Sequence, residues 1–262
     1  MHPELLKTPF FSIHTYGFFI VLGFLLCLYL IRKKTKAEGL NPDKMTDVAF
    51  WSLLFGLLGG RLLYVITLWR EFAQAPLEIF RFWNGGLVYF GGFITGILSF
   101  IYLCKRYEIP ILRALDIATP SLAIAHSFGR LGCFAAGCCY GKPTDPSHWY
   151  AVIFTHPDTI APTGIALHPT QLYDSVNALL LFLVLNWLYH RKKFDGQVIL
   201  MYGMLYSIGR SVIETFRGDK VRGFLIQDVL STSQFISIFI FLISVFFYFK
   251  FRRNAYPSNK QS

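Results

Sequence analysis

Apolar residues along this chain fall into seven runs, separated by short polar or basic segments. A helix that crosses a bilayer needs about 20 mostly apolar residues. The runs begin near Ile13, Asp47, Gly86, Leu112, Leu172, Gln197 and Val229, and end near Ile31, Trp69, Leu103, Phe134, Tyr189, Phe216 and Tyr248. They predict an all-α integral membrane protein of about seven transmembrane helices, with residues 1–262 forming a single polytopic domain. The third run is rich in glycine, the fourth contains Pro120, and the sixth carries charges at its far end. The longest connection, about residues 141–167, is rich in Pro, Thr and Asp and predicts a small loop cap outside the membrane.

The polar segments alternate in charge. Arg32, Lys33, Lys34, Lys36 and Lys44 follow the first run; Lys105, Arg106 and Arg113 the third; Arg191, Lys192 and Lys193 the fifth; Lys250, Arg252, Arg253 and Lys260 the seventh. Basic residues are retained on the cytoplasmic side, so the N-terminus is expected outside and the C-terminus in the cytoplasm. The other side has only Lys7, Arg70, Arg81 and Lys142 in its first loops. Arg217, Lys220 and Arg222 lie on that side against the bias, and so invite another explanation.

Composition agrees with the pattern. The chain is 54% hydrophobic and 18% aromatic, with 15% charged residues and a mean hydropathy of +0.45, where soluble domains carry roughly 25% charge. The net charge of +10 sits in short clusters between apolar runs, which argues against a nucleic-acid partner. The N-terminal "MHPELLKTPF" lacks a basic leader and a small-residue cleavage site, so the first run is expected to be retained. Five cysteines give no disulfide framework.

Charge inside a spanning segment is costly, which makes each such residue a functional candidate. Arg61 lies in "LLGGRLLYVI" and Arg130 in "FGRLGCF"; Arg210 and Glu214 share a helix face in "GRSVIETFR". Three membrane arginines beside one glutamate leave positive charge over, which suits a phosphate gripped by a guanidinium fork. Glycines in "LLGGR" and "NGGLVYFGGFITG" serve either close helix packing or backbone approach to a ligand. "HPTQLYDS" opens the fifth run with His168, Gln171 and Tyr173, as a cap or as part of a site. His126, Cys133, Cys138 and Cys139 gather in "HSFGRLGCFAAGCCYG". Their C-x4-C-C spacing lacks the usual C-x2-C form, so no metal is expected. A disulfide, small buried walls and a reactive thiol based by His126 all remain open.

In order, "IHTYG", "GGRLLYV", "GGLVYFGG", "GRLGCF…G…YG", "HPTQLY" and "GRSVIETFR" resemble the prolipoprotein diacylglyceryl transferase family from about Ile13 to Arg217. The resemblance implies an enzyme of the bacterial cytoplasmic membrane. It would move the diacylglyceryl group of phosphatidylglycerol onto the lipobox cysteine of a preprolipoprotein, releasing glycerol phosphate. Its partners would be phosphatidylglycerol, lipobox peptides and membrane lipid, with no cofactor. The family's signature arginine falls on Arg130, its other essential arginine on Arg210, and its tyrosine near the first helix on Tyr16. Catalytic roles are thus expected for Arg130, Arg210, His126, Glu214 and Tyr16. Substrate contacts are expected from Arg130, Arg210, Arg61, Gly91, Gly92, Gly141, His168, Gln171, Tyr173, Cys133 and Cys138.

Two positions depart from the family. Phe90 stands where a histidine usually precedes the paired glycines, and Cys133 and Cys138 stand where the signature has asparagine and glutamate. The chain therefore resembles a cysteine-rich branch, with His126, His168 or Glu214 as substitute bases. The alternatives are altered lipid-transfer chemistry on its own cysteines, or a non-catalytic phospholipid-binding membrane protein.

Overall fold

The computed structural model describes residues 4–7, 12–81, 85–219, 223–226 and 230–255. The expected start of the seventh helix at Val229, and the basic residues Lys220, Arg222 and Lys260, lie outside the described residues. The fold is mostly helical. Seven long α-helices occur among the described residues: α1 (Thr15–Ala37), α2 (Pro42–Thr67), α4 (Tyr89–Arg106), α5 (Ile111–Ala136), α6 (Thr170–Tyr189), α7 (Gln197–Glu214) and α8 (Thr232–Ala255). A short α3 (Trp69–Phe72) and a 3-10 turn (Pro76–Phe80) follow α2. Three two-stranded antiparallel ribbons qualify the all-α expectation: β1 (Glu4–Lys7) with β2 (Ser12–His14), β3 (Val152–Ile153) with β4 (Ala166–Leu167), and β5 (Phe224–Ile226) with β6 (Leu230–Ser231).

Local chemistry sets boundaries that hydropathy cannot. Helix α1 runs through Arg32, Lys33, Lys34 and Lys36 to Ala37, well past Ile31, because straight-chain cations are good helix formers. Gly39, at φ 71°, closes it: the N–H of Leu40 reaches the Thr35 carbonyl and that of Gly39 the Lys36 carbonyl. Helix α2 begins at Pro42 rather than Asp47. The Asn41 side chain accepts from the N–H groups of Asp43 and Lys44, and proline suits the first helical position.

Helices α1, α2, α6 and α8 are long and apolar enough to cross a membrane. Large apolar side chains such as Leu25, Leu62, Leu180 and Phe246 stand more than half exposed on them, as lipid-facing residues do. The chain divides into two compact units, Leu28–Ala114 and Met1–Cys27 with Leu115–Ser262.

In the first unit α4 lies against α2 through glycines. A Cβ on Gly91 would stand 2.5 Å from the Gly59 carbonyl oxygen and 2.7 Å from Leu63 Cβ. One on Gly92 would stand 3.0 Å from the Gly56 carbonyl oxygen. The Thr95 hydroxyl donates across to the Phe55 carbonyl at 3.0 Å. Close packing therefore accounts for these glycines. Arg61, buried in α2, donates from Nε to Ile79, from Nη1 to Gly85 and Gly86, and from Nη2 to Glu78 and Arg81, all backbone carbonyls at 2.6–3.2 Å. Its fork is engaged by carbonyls of residues 78–81 and 85–86, which gives Arg61 a structural role alongside the expected one as a phosphate ligand.

In the second unit α6 packs on α7, and α7 on α8. The Ser127 and Ser175 hydroxyls bond across α5 and α6 at 2.9 Å. Fully buried Asp116 of α5 accepts the N–H groups of Gly196, Val198 and Ile199 at 2.8–3.1 Å, so α5 caps the start of α7. The α5–α6 connection has its own small core of Phe154, Ala161 and Leu167, joined by Phe134, Tyr140 and Val152.

Candidate active site

The ends of α5, α6 and α7 bring four charged side chains together in the second unit. Asp174 stands one turn into α6 and is nearly fully buried. Its Oδ2 lies 3.1 Å from Arg130 Nε and 3.6 Å from Arg210 Nη1. Arg210 extends the group: Nη2 meets Glu214 Oε2 at 2.7 Å, and Nε donates to the Ser233 hydroxyl of α8 at 2.8 Å. Arg217 Nη1 lies 3.8 Å from Glu214, and the guanidinium is held by both oxygens of Asp219 at 2.9 and 2.6 Å. Arg217, which the charge bias left in need of an explanation, thus has a partner.

The cluster is balanced, not cationic. Arg130 and Arg210 face Asp174 and Glu214, while Arg217 is matched by Asp219. The excess of positive charge expected from the sequence is absent from this group, because Asp174 and Asp219 belong to it. Asp174 is the member of the cluster that the sequence reading missed. The rule that picked out the arginines applies equally to a carboxylate in an apolar run, but "HPTQLYDS" read as a helix start.

The site is incompletely satisfied. Asp174 Oδ1, Gln171 Oε1, Ser207 Oγ and Arg210 Nη1 are buried with no hydrogen-bond partner among the described residues. Such atoms are costly, and in a native fold they call for an explanation. The Nε of Arg130 donates to His126 Nε2 at 3.1 Å, while its two terminal nitrogens make no hydrogen bond among the described residues and are left available to a ligand. The same bond occupies the Nε2 lone pair of His126, which weakens that histidine as a base.

Beyond Ala136 the chain turns across the top of this group. The N–H of Cys138 reaches the Cys133 carbonyl, that of Gly137 reaches Phe134, and Gly137 has φ 73°. Gln171 Nε2 donates to the Cys138 carbonyl at 2.7 Å and the Thr170 hydroxyl to Cys139 at 2.8 Å, which locks the turn onto α6. Gly141 is squeezed between His168 and Gly218: its N–H donates to the His168 carbonyl, and a Cβ on Gly218 would stand 2.5 Å from its carbonyl oxygen. His168 stacks on Tyr150 at 5.4 Å, and its Nδ1 meets the Tyr173 hydroxyl at 3.2 Å. Burial, with His148 and Lys142 nearby, lowers the His168 pKa and keeps the ring neutral near pH 7. Tyr16 packs its ring on Gly132, where a Cβ would stand 3.1 Å away.

Arg130, Arg210, Glu214, His126 and Gln171 thus converge on Asp174 and the 137–141 turn, with His168 and Tyr173 flanking Gly141. Arg61, Gly91 and Gly92 belong to the other unit, engaged as described there.

A helical membrane protein built around a buried arginine–carboxylate cluster is the class these features define. The family model described as prolipoprotein diacylglyceryl transferase matches residues 3–250. A phosphatidylglycerol–prolipoprotein diacylglyceryl transferase of Clostridium tetani is 40% identical over 94% of this chain and 96% of its own length. A transferase of that name, number 2, from Clostridium perfringens is 39% identical over 90% of each chain. One from Oceanobacillus iheyensis is 33% identical over 90% of this chain and 83% of its own. The chain belongs to the prolipoprotein diacylglyceryl transferase family.

Proposed function

We propose that this protein transfers the diacylglyceryl group of phosphatidylglycerol to the lipobox cysteine thiol of preprolipoproteins in a bacterial cytoplasmic membrane. The observation that carries this reading is the Arg130–Asp174–Arg210–Glu214 cluster with its unsatisfied buried atoms, in a chain alike over nearly its whole length to transferases of that name.

Each step has a residue to perform it. The terminal nitrogens of Arg130 grip the lipid phosphate, whose charge grows as the carbon–oxygen bond breaks. Arg210 adds its Nη1, held in place by Glu214 and Ser233. The substrate sulfur attacks the glycerol carbon, the thioether bond forms, and glycerol phosphate leaves with the bonding pair. The thiol proton goes to Asp174 Oδ1, the carboxylate oxygen without a partner. That assignment supplies the base that Phe90 withholds.

Incubating purified protein with labelled phosphatidylglycerol and a lipobox peptide tests the reading. Lipidation of the peptide supports it. A label trapped on the protein's own cysteines, or lipid binding without turnover, would replace it with the corresponding alternative.

A further inference from the structure

The turn after α5 gathers three thiols that the proposed transfer reaction does not use. The Sγ atoms of Cys133, Cys138 and Cys139 all lie within 4.8 Å of one another. Their spacing in sequence gave no such indication; the helix cap creates it. In this kind of cap the third residue from the helix end touches the second residue beyond it. At the end of α5 those two positions are Cys133 and Cys138. The same bonding pattern ends α4, where the N–H of Ile109 reaches the Cys104 carbonyl, and there the pair is Cys104 and Ile109, both buried. It also ends α1 with Thr35 and Leu40. Closing the helix therefore does not require two thiols. Cys139, at φ 57°, holds a backbone conformation that few side chains adopt, and this turns it back into the group. The Gln171 and Thr170 bonds to the Cys138 and Cys139 carbonyls fix the turn.

We infer that Cys133, Cys138 and Cys139 form a binding site for one soft, thiophilic metal ion, Zn2+ in the first instance. Zinc–sulfur bonds of about 2.3 Å on a tetrahedron put the sulfurs roughly 3.8 Å apart, so side-chain rotations of about 1 Å complete the shell. Three thiolates on Zn2+ carry one net negative charge. Arg130 stands one turn before Cys133 in α5 and brings a guanidinium to the same end of the helix. Three protein ligands also leave the fourth position to a ligand from outside. His126 is not that ligand in this arrangement, since its Nε2 faces Arg130. The inference is independent of the lipid-transfer reading, because its readout is metal content.

The test uses full-length protein in detergent, reduced, freed of metal under nitrogen and equilibrated with Zn2+ against a competing chelator. Wild type should retain one Zn2+ per chain by elemental analysis, and so should the Cys27→Ser/Cys104→Ser double variant. Single serine variants at Cys133, Cys138 and Cys139 should each bind at least tenfold more weakly. Zn2+ should also slow N-ethylmaleimide labelling of these three thiols in the unaltered protein, which protects the test against variants that misfold. Equal Zn2+ in wild type and the triple serine variant, or labelling indifferent to Zn2+, would overturn the site. So would a disulfide between two of the three in protein that takes up no Zn2+ after reduction.

Discussion

At the scale of single residues, the two site arginines are held differently and should fail differently. The terminal nitrogens of Arg130 make no hydrogen bond among the described residues, whereas Arg210 is tied to Glu214 and Ser233. Lysine keeps the charge at either position and loses the planar fork. Arg130→Lys should weaken the use of phosphatidylglycerol at least tenfold in kcat/KM, about 1.4 kcal/mol for each factor of ten. Arg210→Lys should fall similarly, with a lower melting temperature because Glu214 and Asp174 are left in a buried site. Full activity in both variants would reject the phosphate grip. Asp174→Asn keeps the shape and removes the proton acceptor; on the scale of general-base catalysis it should cost about a hundredfold or more in kcat, with lipid still bound. An Asn variant of wild-type kcat would move the base elsewhere. Much of this site was legible in the sequence, because Arg130, Arg210 and Glu214 are charges inside apolar runs. What was not legible depends on distant partners. The carbonyls that occupy Arg61 come from residues 78–86, and the balance of charge comes from Asp174, one helix away from either arginine.

At the scale of elements, buried charge also does structural work. Asp116 gives α7 a cap that α7 lacks in its own sequence: the preceding Gly196, at φ 92°, has no side chain to offer, and the three N–H groups turn to Asp116 instead. Removing a cap costs about 0.5–2 kcal/mol, and the full burial here puts the cost toward the upper end. Asp116→Ala should therefore lower the melting temperature and raise hydrogen exchange at the start of α7 first, with Lys192 losing one carboxylate contact, at 3.8 Å, and keeping that to Asp195 at 3.4 Å. Unchanged exchange there would remove the cap from the account. On the other helix pair, Gly91→Val must push against the Gly59 carbonyl and Leu63, so it should destabilise by about 1–3 kcal/mol, read as a lower melting temperature. A stable Val variant would show that α2 and α4 have room to part. The existence of all seven long helices was legible from hydropathy, because an apolar run of this length has few other uses. Their ends were not, because Asn41 acts through a side-chain cap and Pro42, Gly39 and Gly137 through backbone geometry, to both of which hydropathy is blind. The glycine-rich third run was equally ambiguous, since its packing against α2 is visible only once the two helices are placed together.

At the scale of the whole molecule, the open matter is how many of the helices cross the bilayer. Four qualify by apolarity alone: α1, α2, α6 and α8. Helices α4, α5 and α7 each have at least 18 residues, about 27 Å or more at 1.5 Å per residue, which meets the lower limit for a span. Helices α5 and α7 carry buried charge: the capping Asp116 and the site residue Arg130 on one, Arg210 and Glu214 on the other. Their charges are paired or capping within the protein, the condition under which a membrane helix tolerates them. Seven spans and four spans assign the same side to Gly39, and both return Lys192 to it, so reporters there do not distinguish them. The two arrangements part at the α4–α5 connection and at the end of α8. Seven spans put Glu108 and Ala255 in the cytoplasm, if the N-terminus is outside; four put both outside. The basic residues next to these points, Lys105, Arg106 and Arg113 at one and Lys250, Arg252 and Arg253 at the other, favour the cytoplasm in both cases. A reporter inserted at Glu108 and another fused after Ala255 should therefore both read cytoplasmic, while one inserted at Pro146 should read external. A reporter at Glu108 that reads external would take α4 and α5 out of the bilayer core, and with them Arg130 from the depth at which a lipid headgroup meets it.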